Sequence, residues 1–558
     1  MSQSTAQMTK ERGPLTASMR RFGHETAGNL TVFAMILFVL MVMIGGVAVD
    51  LMRYEQMRTS LQNTLDRATL ASASLSQELD PEDVVNDYFD KAGLTDYLKM
   101  VDVSEGINFR IVEADARAET NPFFMHMIGI DEMEAPGHSM AEQRMTNVEI
   151  ALVLDVSGSM NDNSRLTNLK SAANEFVNTV LSNDSEDRIS IVIVPFNGQV
   201  NLGPTLRAKY NATNNHGVTN VNCVDLPSSV YNQNGISTVL ALPMTAHADT
   251  YSTTDMGSYY TSRTDSNYAT PNAANRWCPP STTNTVMLPS NNITALQAKI
   301  SSLTAIGATS INAGMRWGTT LMDPSVRAMM TGWAANGTIN SSFSGRPFEY
   351  TDDESMKIVV LMTDGAHFAE ERVNDAYKTG TSPIFKSPYD GNYSIRHDTG
   401  RPANTGTKKY WVPHRSEWRD LPWTNTSNTG ATTLANNPMQ WQTVWSEVRL
   451  QWVAWQLYGR GLGTNSSQRG QQYNTWLANL RSQTATTAMD SQLQTICTKA
   501  KQNGVTVYGI AFEAPYAGQT QISACATSSA HYFNAAGLQI RTAFRAIASN
   551  ISQLRLTQ

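Results

Sequence analysis

The chain has 558 residues, a net charge of −6 and 16% charged residues. Nucleic-acid binders show a basic stripe, so this charge balance gives no support for a nucleic-acid partner. Hydrophobic residues make up 41% of the chain, which excludes a wholly disordered protein, and four cysteines are too few for a cysteine-rich scaffold. The length suffices for several domains.

The first predicted element is a membrane span at residues 30–49. This stretch carries no charge, and as a helix it extends about 30 Å, the thickness of the hydrocarbon layer of a bilayer. A buried core helix and a cleaved signal sequence are the alternatives. The stretch is longer than a signal core and reaches Asp50 without a small-residue cleavage pattern, which favours the span. Basic residues before the span predict a cytoplasmic leader at 1–29, with the bulk of the chain outside.

The helix is predicted to continue past the membrane, from about 30 to 78, with a helical extension at 50–80. Apolar residues recur there at helical spacings, at Leu51, Tyr54, Leu61, Leu65, Ala68 and Leu75. This stripe needs a cover, either from the rest of the chain or from another subunit. Residues 81–146 predict a small α+β unit, with a helical pattern at Val84–Leu98 and strand alternation at Asn108–Ala118.

Residues 147–558 predict a doubly wound α/β domain. Buried apolar strands are expected at Val148–Leu154, Arg188–Phe196, Lys357–Met362 and Val505–Phe512, and amphipathic helices at Arg165–Leu181 and Leu538–Leu554. Two insertions are predicted to interrupt this pattern. The first, at about 201–300, is a polar excursion that contains 38 Ser, Thr or Asn residues. The second, at about 366–488, carries eight of the eleven Trp residues.

Within the second insertion, the spacing of aromatic residues predicts one helical face. Its members are Trp441, Trp445, Val448, Trp452 and Trp455. The face has two interpretations, an aromatic platform for sugar stacking and a Trp-rich core that holds the insertion together. The core is favoured.

Three short segments carry side-chain oxygens that suit a metal ion. A D-x-S-x-S loop follows the first predicted strand, the segment GATSI places a hydroxyl after a glycine turn, and TDG follows the strand at 357–362. Each is expected at a strand end, on the edge of a doubly wound sheet where ligands bind. Helix capping is the alternative for the first loop. The predicted ligands of a divalent cation are Asp155, Ser157, Ser159, Thr309 and Asp364.

The segments DVSGSM, GATSI and LMTDG resemble the metal-ion-dependent adhesion site of von Willebrand factor type A domains. The resemblance covers about 147–200, 290–365 and 490–554. It implies a vWA-like fold in which Ser157, Ser159 and Thr309 bind the metal directly. Asp155 and Asp364 would bind it directly or through water, and a partner carboxylate would fill an open position. Mg²⁺ is the expected ion, with Mn²⁺ and Ca²⁺ as alternatives. Ala308 stands where the family usually has a second glycine.

The N-terminal region resembles the TadE/TadG-like proteins of Tad/Flp pilus assembly over about 20–78. The resemblance is carried by Phe22-Gly23, by Ala27-Gly28-Asn29, by the span, and by the run VAVDLMRYEQMRTSLQNTLDRATLASASL. A pilin-like leader would have Glu five residues after the cleavage glycine, and Gly28 occupies that position after Gly23. The expected anchor is therefore an uncleaved single span in a bacterial inner membrane, with the bulk of the protein in the periplasm.

All four cysteines follow the span. Cys497 lies on a predicted helix before the strand at 505–512 and Cys525 follows that strand, which favours a disulfide between them and leaves Cys223 with Cys278. The two other connectivities and free buried thiols stay open.

No phosphate-binding loop, nucleophile elbow or H-E-x-x-H motif is present, so the sequence predicts no enzyme. The predicted function is metal-dependent protein binding in Tad/Flp pilus or secretion assembly, at the membrane and through an acidic residue of the partner. A surface adhesin for host or matrix ligands and a filament subunit are the alternatives.

Overall fold

The computed structural model describes residues 27–74, 77, 79–106, 109–144, 147–182, 184, 187–213, 216–251, 270–352 and 354–552. Residues 1–26 of the predicted leader, 1–29, lie outside the described residues. Gly23 is among them, so the prediction that the leader is not cleaved after Gly23 is not tested. The chain forms two compact units, Met1–Arg144 and Met145–Gln558.

The described residues of the first unit form two α-helices and three strands. They are α1 (Ala27–Ser72), α2 (Pro81–Ala92), β1 (Leu98–Gly106), β2 (Phe109–Thr120) and β3 (Met133–Arg144). The strands pair antiparallel in the order β1-β2-β3. Helix α2 begins where the side chain of Asp80 accepts a hydrogen bond from the N–H of Glu82, and it ends at Gly93, whose φ of 67° suits glycine. The helical pattern at Val84–Leu98 is therefore only partly realised, because α2 ends at Ala92 and Leu98 is the first residue of β1.

Helix α1 is 46 residues long, about 68 Å. Among the described residues it is the one helix long and apolar enough to cross a membrane, as a single-pass anchor requires. Beyond the span, Leu61, Leu65 and Ala68 are fully buried in a core shared with the sheet and α2. The chain itself therefore covers the apolar stripe at these three residues, whereas Leu51 is exposed. The helix ends at Ser72, before the predicted residue 78, and Leu75 lies outside the described residues.

The described residues of the second unit form twelve strands, which pair in three sheets, and thirteen α-helices. The strands are β4 (Asn147–Asp155), β5 (Ile189–Phe196), β6 (Met287–Ser290), β7 (Ser355–Thr363), β8 (Glu370–Val373), β9 (Ile384–Lys386), β10 (Tyr393–Arg396), β11 (Tyr410–Val412), β12 (Glu417–Arg419), β13 (Arg481–Thr484), β14 (Thr506–Phe512) and β15 (Tyr532–Ala535). The helices are α3 (Arg165–Leu181), α4 (Gly203–Arg207), α5 (Ile293–Ser302), α6 (Ile311–Thr320), α7 (Arg327–Ala335), α8 (Ala431–Ala435), α9 (Trp441–Glu447), α10 (Leu450–Trp452), α11 (Arg460–Leu462), α12 (Ser466–Leu480), α13 (Thr486–Gln502), α14 (Tyr516–Cys525) and α15 (Gln539–Ser552).

The central sheet has six strands in the order β15-β14-β7-β4-β5-β6. All neighbours are parallel except β6, which runs antiparallel to β5 at the edge. The chain builds outward from β4 to one side through β5 and β6, then returns to place β7 on the other side of β4. The carboxyl ends of β4 and β7 therefore flank the point where the strand order reverses, which is the ligand-binding edge of doubly wound folds. This order confirms the predicted α/β fold.

Helices cover both faces of this sheet. On one face α3 packs on α15, where the rings of Phe176 and Phe544 meet edge-to-face at 5.8 Å. On the other face α6 lies very close to the strands, because a Cβ at Gly314 would be 2.5 Å from the ring of Phe196 and one at Gly318 2.5 Å from Val153. These two glycines let the helix approach the sheet, and they fix the position of the loop that precedes α6.

The first insertion is shorter than the sequence predicts. Strand β6 and helix α5 lie inside the range 201–300, yet β6 is the edge strand of the central sheet and α5 packs on α3. The excursion therefore ends before residue 287. The second insertion, within 366–488, forms a four-stranded antiparallel sheet, β12-β11-β10-β9, with a separate Trp-rich core.

The prediction of one Trp-bearing helical face is wrong. Helix α9 ends at Glu447, and Val448 and Arg449 are extended before α10 begins. The guanidinium of Arg449 lies 3.0 Å from the carboxylate of Asp249, and the N–H of Leu450 donates to the carbonyl of Asp249, so contacts with the first insertion override the helical spacing. Trp441 and Trp445 are buried and stacked at 5.2 Å, as the core interpretation expects.

Both predicted disulfides are present, Cys223–Cys278 and Cys497–Cys525. The second joins α13 to the end of α14 across a sequence separation of 28 residues. Cys497 and Cys525 are fully buried, so the bond lies inside the core on one side of the sheet.

Replacing this pair, Cys497→Ser with Cys525→Ser, is expected to lower the free energy of unfolding by about 3–4 kcal/mol, because the open chain gains entropy when unfolded. Urea unfolding followed by Trp fluorescence measures it, since all eleven Trp residues lie in the second unit. Non-reducing peptide mapping of wild type purified without reductant supplies the control. Free alkylation of both thiols there would contradict the assignment.

Candidate metal centre

Asp155 ends strand β4 and is fully buried at the reversal point of the sheet. One of its carboxylate oxygens accepts a hydrogen bond from the N–H of Ser157 at 2.7 Å, and the other accepts from the hydroxyl of Thr363 at 2.5 Å. Thr363 is the last residue of β7, the neighbouring strand. The carboxylate is therefore held rigidly between two strand ends.

Two hydroxyls and a second carboxylate form a tight group beside Asp155. The Oγ atoms of Ser157 and Ser159 are 3.1 Å apart, and Ser159 donates to Oδ1 of Asp364 at 2.9 Å. Ser157 reaches the same oxygen at 3.5 Å. Ser157 and Asp364 are buried, whereas Ser159 is partly exposed, so the group opens to solvent on the Ser159 side.

Thr309 reaches this edge from a loop that does not follow a strand. It lies between α5 and α6, which corrects the prediction that all three loops follow strands. Backbone hydrogen bonds place the loop beside the D-x-S-x-S segment: the N–H of Ile306 donates to the carbonyl of Val156 and that of Gly158 to Gly307, both at 2.9 Å. Gly307 turns the loop with a φ of 90°.

The Thr309 side chain faces the segment that carries Asp364. A Cβ built on Gly365 would be 3.5 Å from the Thr309 hydroxyl, an ordinary contact distance. The N–H of Phe368 donates to the Thr309 carbonyl at 2.9 Å, which ties the two loops together. Among the described residues the hydroxyl itself has no hydrogen-bond partner. The structure thus brings all five predicted ligands to one edge of the sheet.

Arg165 contacts the candidate site, although it is not among the site residues that the sequence predicts. Its guanidinium donates to Oδ2 of Asp364 at 2.9 Å and to Oε2 of Glu513 at 2.9 Å. Arg165 is the first residue of α3, six positions after Ser159, and the sequence signal for this contact is only its position at the start of the helix that follows the D-x-S-x-S loop. It supplies one positive charge to a site that otherwise holds two buried carboxylates.

His367 and Asp490 form a second polar pair that the sequence did not indicate. Nε2 of His367 accepts from the N–H of Asn312 at 3.0 Å, and Nδ1 lies 2.7 Å from Asp490. The imidazole therefore caps the N-terminal turn of α6, the helix that follows the Thr309 loop. Its role here is to position that loop.

Burial and mutual repulsion shift the pKa values of the two carboxylates of the site. Burial and the neighbouring Asp364 carboxylate raise the pKa of Asp155 to about 7. Burial also raises the pKa of Asp364, although hydrogen bonds from Ser159 and Arg165 act in the opposite direction. Two like charges this close favour binding of a proton or a cation.

The donor set fits a hard divalent cation. Carboxylate and hydroxyl oxygens are the ligand types that Mg²⁺, Mn²⁺ and Ca²⁺ prefer. In the described part of the chain no group of three or more His, Cys, Asp or Glu side chains is placed to hold a metal. A cation here would therefore depend on the three hydroxyls as much as on the two carboxylates.

Without a divalent cation, the free energy of unfolding is expected to fall as pH rises from about 4 to about 7. The folded state holds a proton on Asp155 that the unfolded state, with a pKa of 3.8, has already released. Asp155→Asn should remove this dependence and be more stable than wild type in EDTA at pH 7, by about 2–4 kcal/mol.

Urea unfolding in EDTA, followed by Trp fluorescence at several pH values, measures this effect. Asp162→Asn is the matched control, because Asp162 is an exposed carboxylate in the same segment. The same pH dependence in wild type and Asp155→Asn would contradict the assignment.

Comparison with known proteins links the N-terminal helix to pilus assembly. Residues 28–75 match the family model of Flp pilus-assembly TadE/G-like proteins (Tad). No curated protein matches the chain in sequence.

Among solved structures, the vWF domain of the type V pili tip protein Mfa5 from Porphyromonas gingivalis aligns at 12% identity. It covers 73% of this chain and 96% of its own, with a TM-score of 0.31. The PilB minor pilin of Streptococcus sanguinis aligns at 12% identity over 82% and 78% of the two chains, TM-score 0.29. The pilus adhesin SpaC of Lactobacillus rhamnosus GG aligns at 11% over 81% and 33%, TM-score 0.28. Likenesses this weak carry no argument, so the assignment of the fold rests on the strand order of the sheet. The similarity to pilus-assembly proteins rests on residues 28–75, which match the TadE/G-like family model.

Proposed function

We propose that this protein is a membrane-anchored component of a Tad/Flp pilus apparatus that binds protein partners through a divalent cation. The observation that carries the proposal is the convergence of five oxygen side chains from three loops at the reversal point of a doubly wound sheet. The similarity of residues 28–75 to TadE/G-like proteins supports the setting in pilus assembly.

The ligands proposed for the cation are Ser157, Ser159 and Thr309 through their hydroxyls, with Asp155 and Asp364 as the two charged groups. A cation held in this way would supply an electrophilic position to a carboxylate from outside. Hydroxyls carry no charge, and Arg165 already offsets part of the charge of Asp364. The site therefore stays electron-poor, which favours an acidic side chain on the partner. Mg²⁺ is the first candidate, with Mn²⁺ and Ca²⁺ as alternatives.

A binding role fits the hydroxyls better than catalysis. In the described part of the chain, the hydroxyls of Ser157 and Ser159 contact each other and Asp364, and no histidine contacts them. His367 is committed to Asn312 and Asp490. A serine nucleophile needs an adjacent base, so this arrangement supports a protein that is not an enzyme.

The proposed location is a bacterial inner membrane, with residues 1–29 in the cytoplasm and the bulk of the chain in the periplasm. The basic leader supports this orientation, as do two disulfides, which persist in oxidising compartments. Alkylation of intact cells tests this location, because the four cysteines should be blocked by disulfides. Modification of all four cysteines would contradict the periplasmic location. The adhesin alternative has no comparable support, because the family match of residues 28–75 points to assembly.

Asp155→Ala is expected to abolish cation-dependent capture of partners, because it removes one of the two charges that hold the ion. Thr309→Ala should weaken capture and leave the ion partly held. The measurement is crosslinking in membranes from producing cells, in Mg²⁺ and in EDTA, with identification of the captured proteins.

Asp162→Ala is the matched control, since it removes an exposed carboxylate from the same segment and should capture like wild type. Thermal melts of each variant separate lost binding from lost folding. Equal capture by wild type and Asp155→Ala, with and without EDTA, would refute the cation as the recognition element.

A further inference from the structure

A short apolar loop in the first unit exposes its side chains to solvent. Residues 122–130 read PFFMHMIGI and contain no Asp, Glu, Lys or Arg. Four large apolar side chains of this loop have exposed fractions between 40% and 70%: Phe123, Met127, Ile128 and Ile130. Single exposed apolar residues are ordinary, but a cluster of this kind marks a surface that contacts something apolar.

The loop is attached to α1 at the end of the predicted span. Asp50, which is buried, accepts hydrogen bonds from three consecutive backbone N–H groups: Phe123 at 3.1 Å, Phe124 at 2.6 Å and Met125 at 2.9 Å. The ring of Phe124 lies against Gly46, where a Cβ would be 2.2 Å from it. Gly46 and Asp50 are one helical turn apart, about 6 Å along the axis, so these two contacts fix the level of the loop on the helix.

We propose that this apolar loop, residues 122–130, inserts into the lipid surface of the membrane that α1 spans. Gly46 lies inside the uncharged stretch 30–49 and Asp50 directly follows it, so the loop is held where hydrocarbon gives way to headgroups. Apolar side chains at this level of a bilayer enter the boundary between acyl chains and headgroups by about 5–10 Å. The inference rests on the membrane-spanning role of α1 and not on the metal centre.

The polar neighbours of the loop fit an interfacial position. The guanidinium of Arg53 lies 4.9 Å from the centre of the Phe123 ring, and it is three residues, about 4.5 Å, beyond Asp50. An arginine at this level can reach lipid phosphates while its aliphatic stem stays on the apolar ring. His126 pairs with Asp131 at 2.6 Å at the edge of the loop.

Lipid is favoured over a protein partner as the occupant. At the level of the loop α1 itself exposes Val49 and Met52, and deeper in the span it exposes Ile44. The apolar surface of the loop therefore lies at the same depth as the end of the apolar surface that the span presents to lipid. A quenching experiment distinguishes lipid from a protein neighbour, whether that neighbour is a second copy of this chain or another membrane protein.

The chain offers a clean background for a site-specific probe, because its four cysteines form two disulfides. Met127→Cys in the full-length protein, labelled with a nitrobenzoxadiazole fluorophore, is reconstituted into phosphatidylcholine and phosphatidylglycerol vesicles. Lipids that carry a nitroxide near the headgroup then report contact with the bilayer, and aqueous iodide reports contact with water.

Met140→Cys is the matched control, an exposed methionine on β3. The hydroxyl of Ser139, the residue before Met140, lies 3.1 Å from the hydroxyl of Thr69. Thr69 is about 28 Å beyond Asp50 along α1, so Met140 lies far from the level of the loop. The probe at position 127 should lose about half of its fluorescence to nitroxide lipids and resist iodide, whereas the probe at 140 should show the reverse.

Two results would overturn the proposal. Equal iodide quenching at both positions, without quenching by nitroxide lipids, would place the loop in water. Protection of position 127 from iodide that grows with the protein-to-lipid ratio, again without nitroxide quenching, would assign the surface to a protein neighbour. Neither result bears on the metal centre, so the two proposals fail or stand separately.

Discussion

Two carboxylates buried side by side are the constraint on which the account of this protein depends. Asp155 ends strand β4 and Asp364 directly follows strand β7, and these strands neighbour each other only because the strand order reverses between them. The topology thus forces two like charges into one buried site. Such an arrangement is stable when a proton, an arginine or a metal ion offsets the repulsion. Arg165 contacts one of the two carboxylates, that of Asp364.

The polar groups around these carboxylates fall into two sets, those that position the loops and those whose oxygens could bind a cation. Arg165 ties Asp364 to Glu513, and His367 caps the first turn of α6, so these residues hold the loops in place. The hydroxyls of Ser157, Ser159 and Thr309 lie at the same edge of the sheet and carry no charge. A site built in this way would bind a cation without neutralising it fully, and the residual charge is what a carboxylate of a partner protein would recognise.

The sequence predicts four strands of the central sheet because they are continuous apolar runs, and their alternation with helices predicts the doubly wound fold class. It also places Asp155 and Asp364 correctly, since each directly follows such a run. It could not predict what long-range contacts decide. The break at Val448 depends on Asp249, nearly two hundred residues away in the chain, and the role of Arg165 depends on Glu513, more than three hundred residues away. Likewise β6 has only four residues and contains a proline, so its sequence does not indicate an edge strand.

Diffraction from crystals of the protein grown with Mn²⁺, recorded at the manganese absorption edge, tests the central claim most directly. The account predicts one anomalous peak in the second unit, bounded by the oxygens of Asp155, Ser157, Ser159, Thr309 and Asp364, and its absence in Asp155→Ala crystals grown in the same way. A well-ordered site without such a peak, with Arg165 as the sole cation on Asp364, would contradict it.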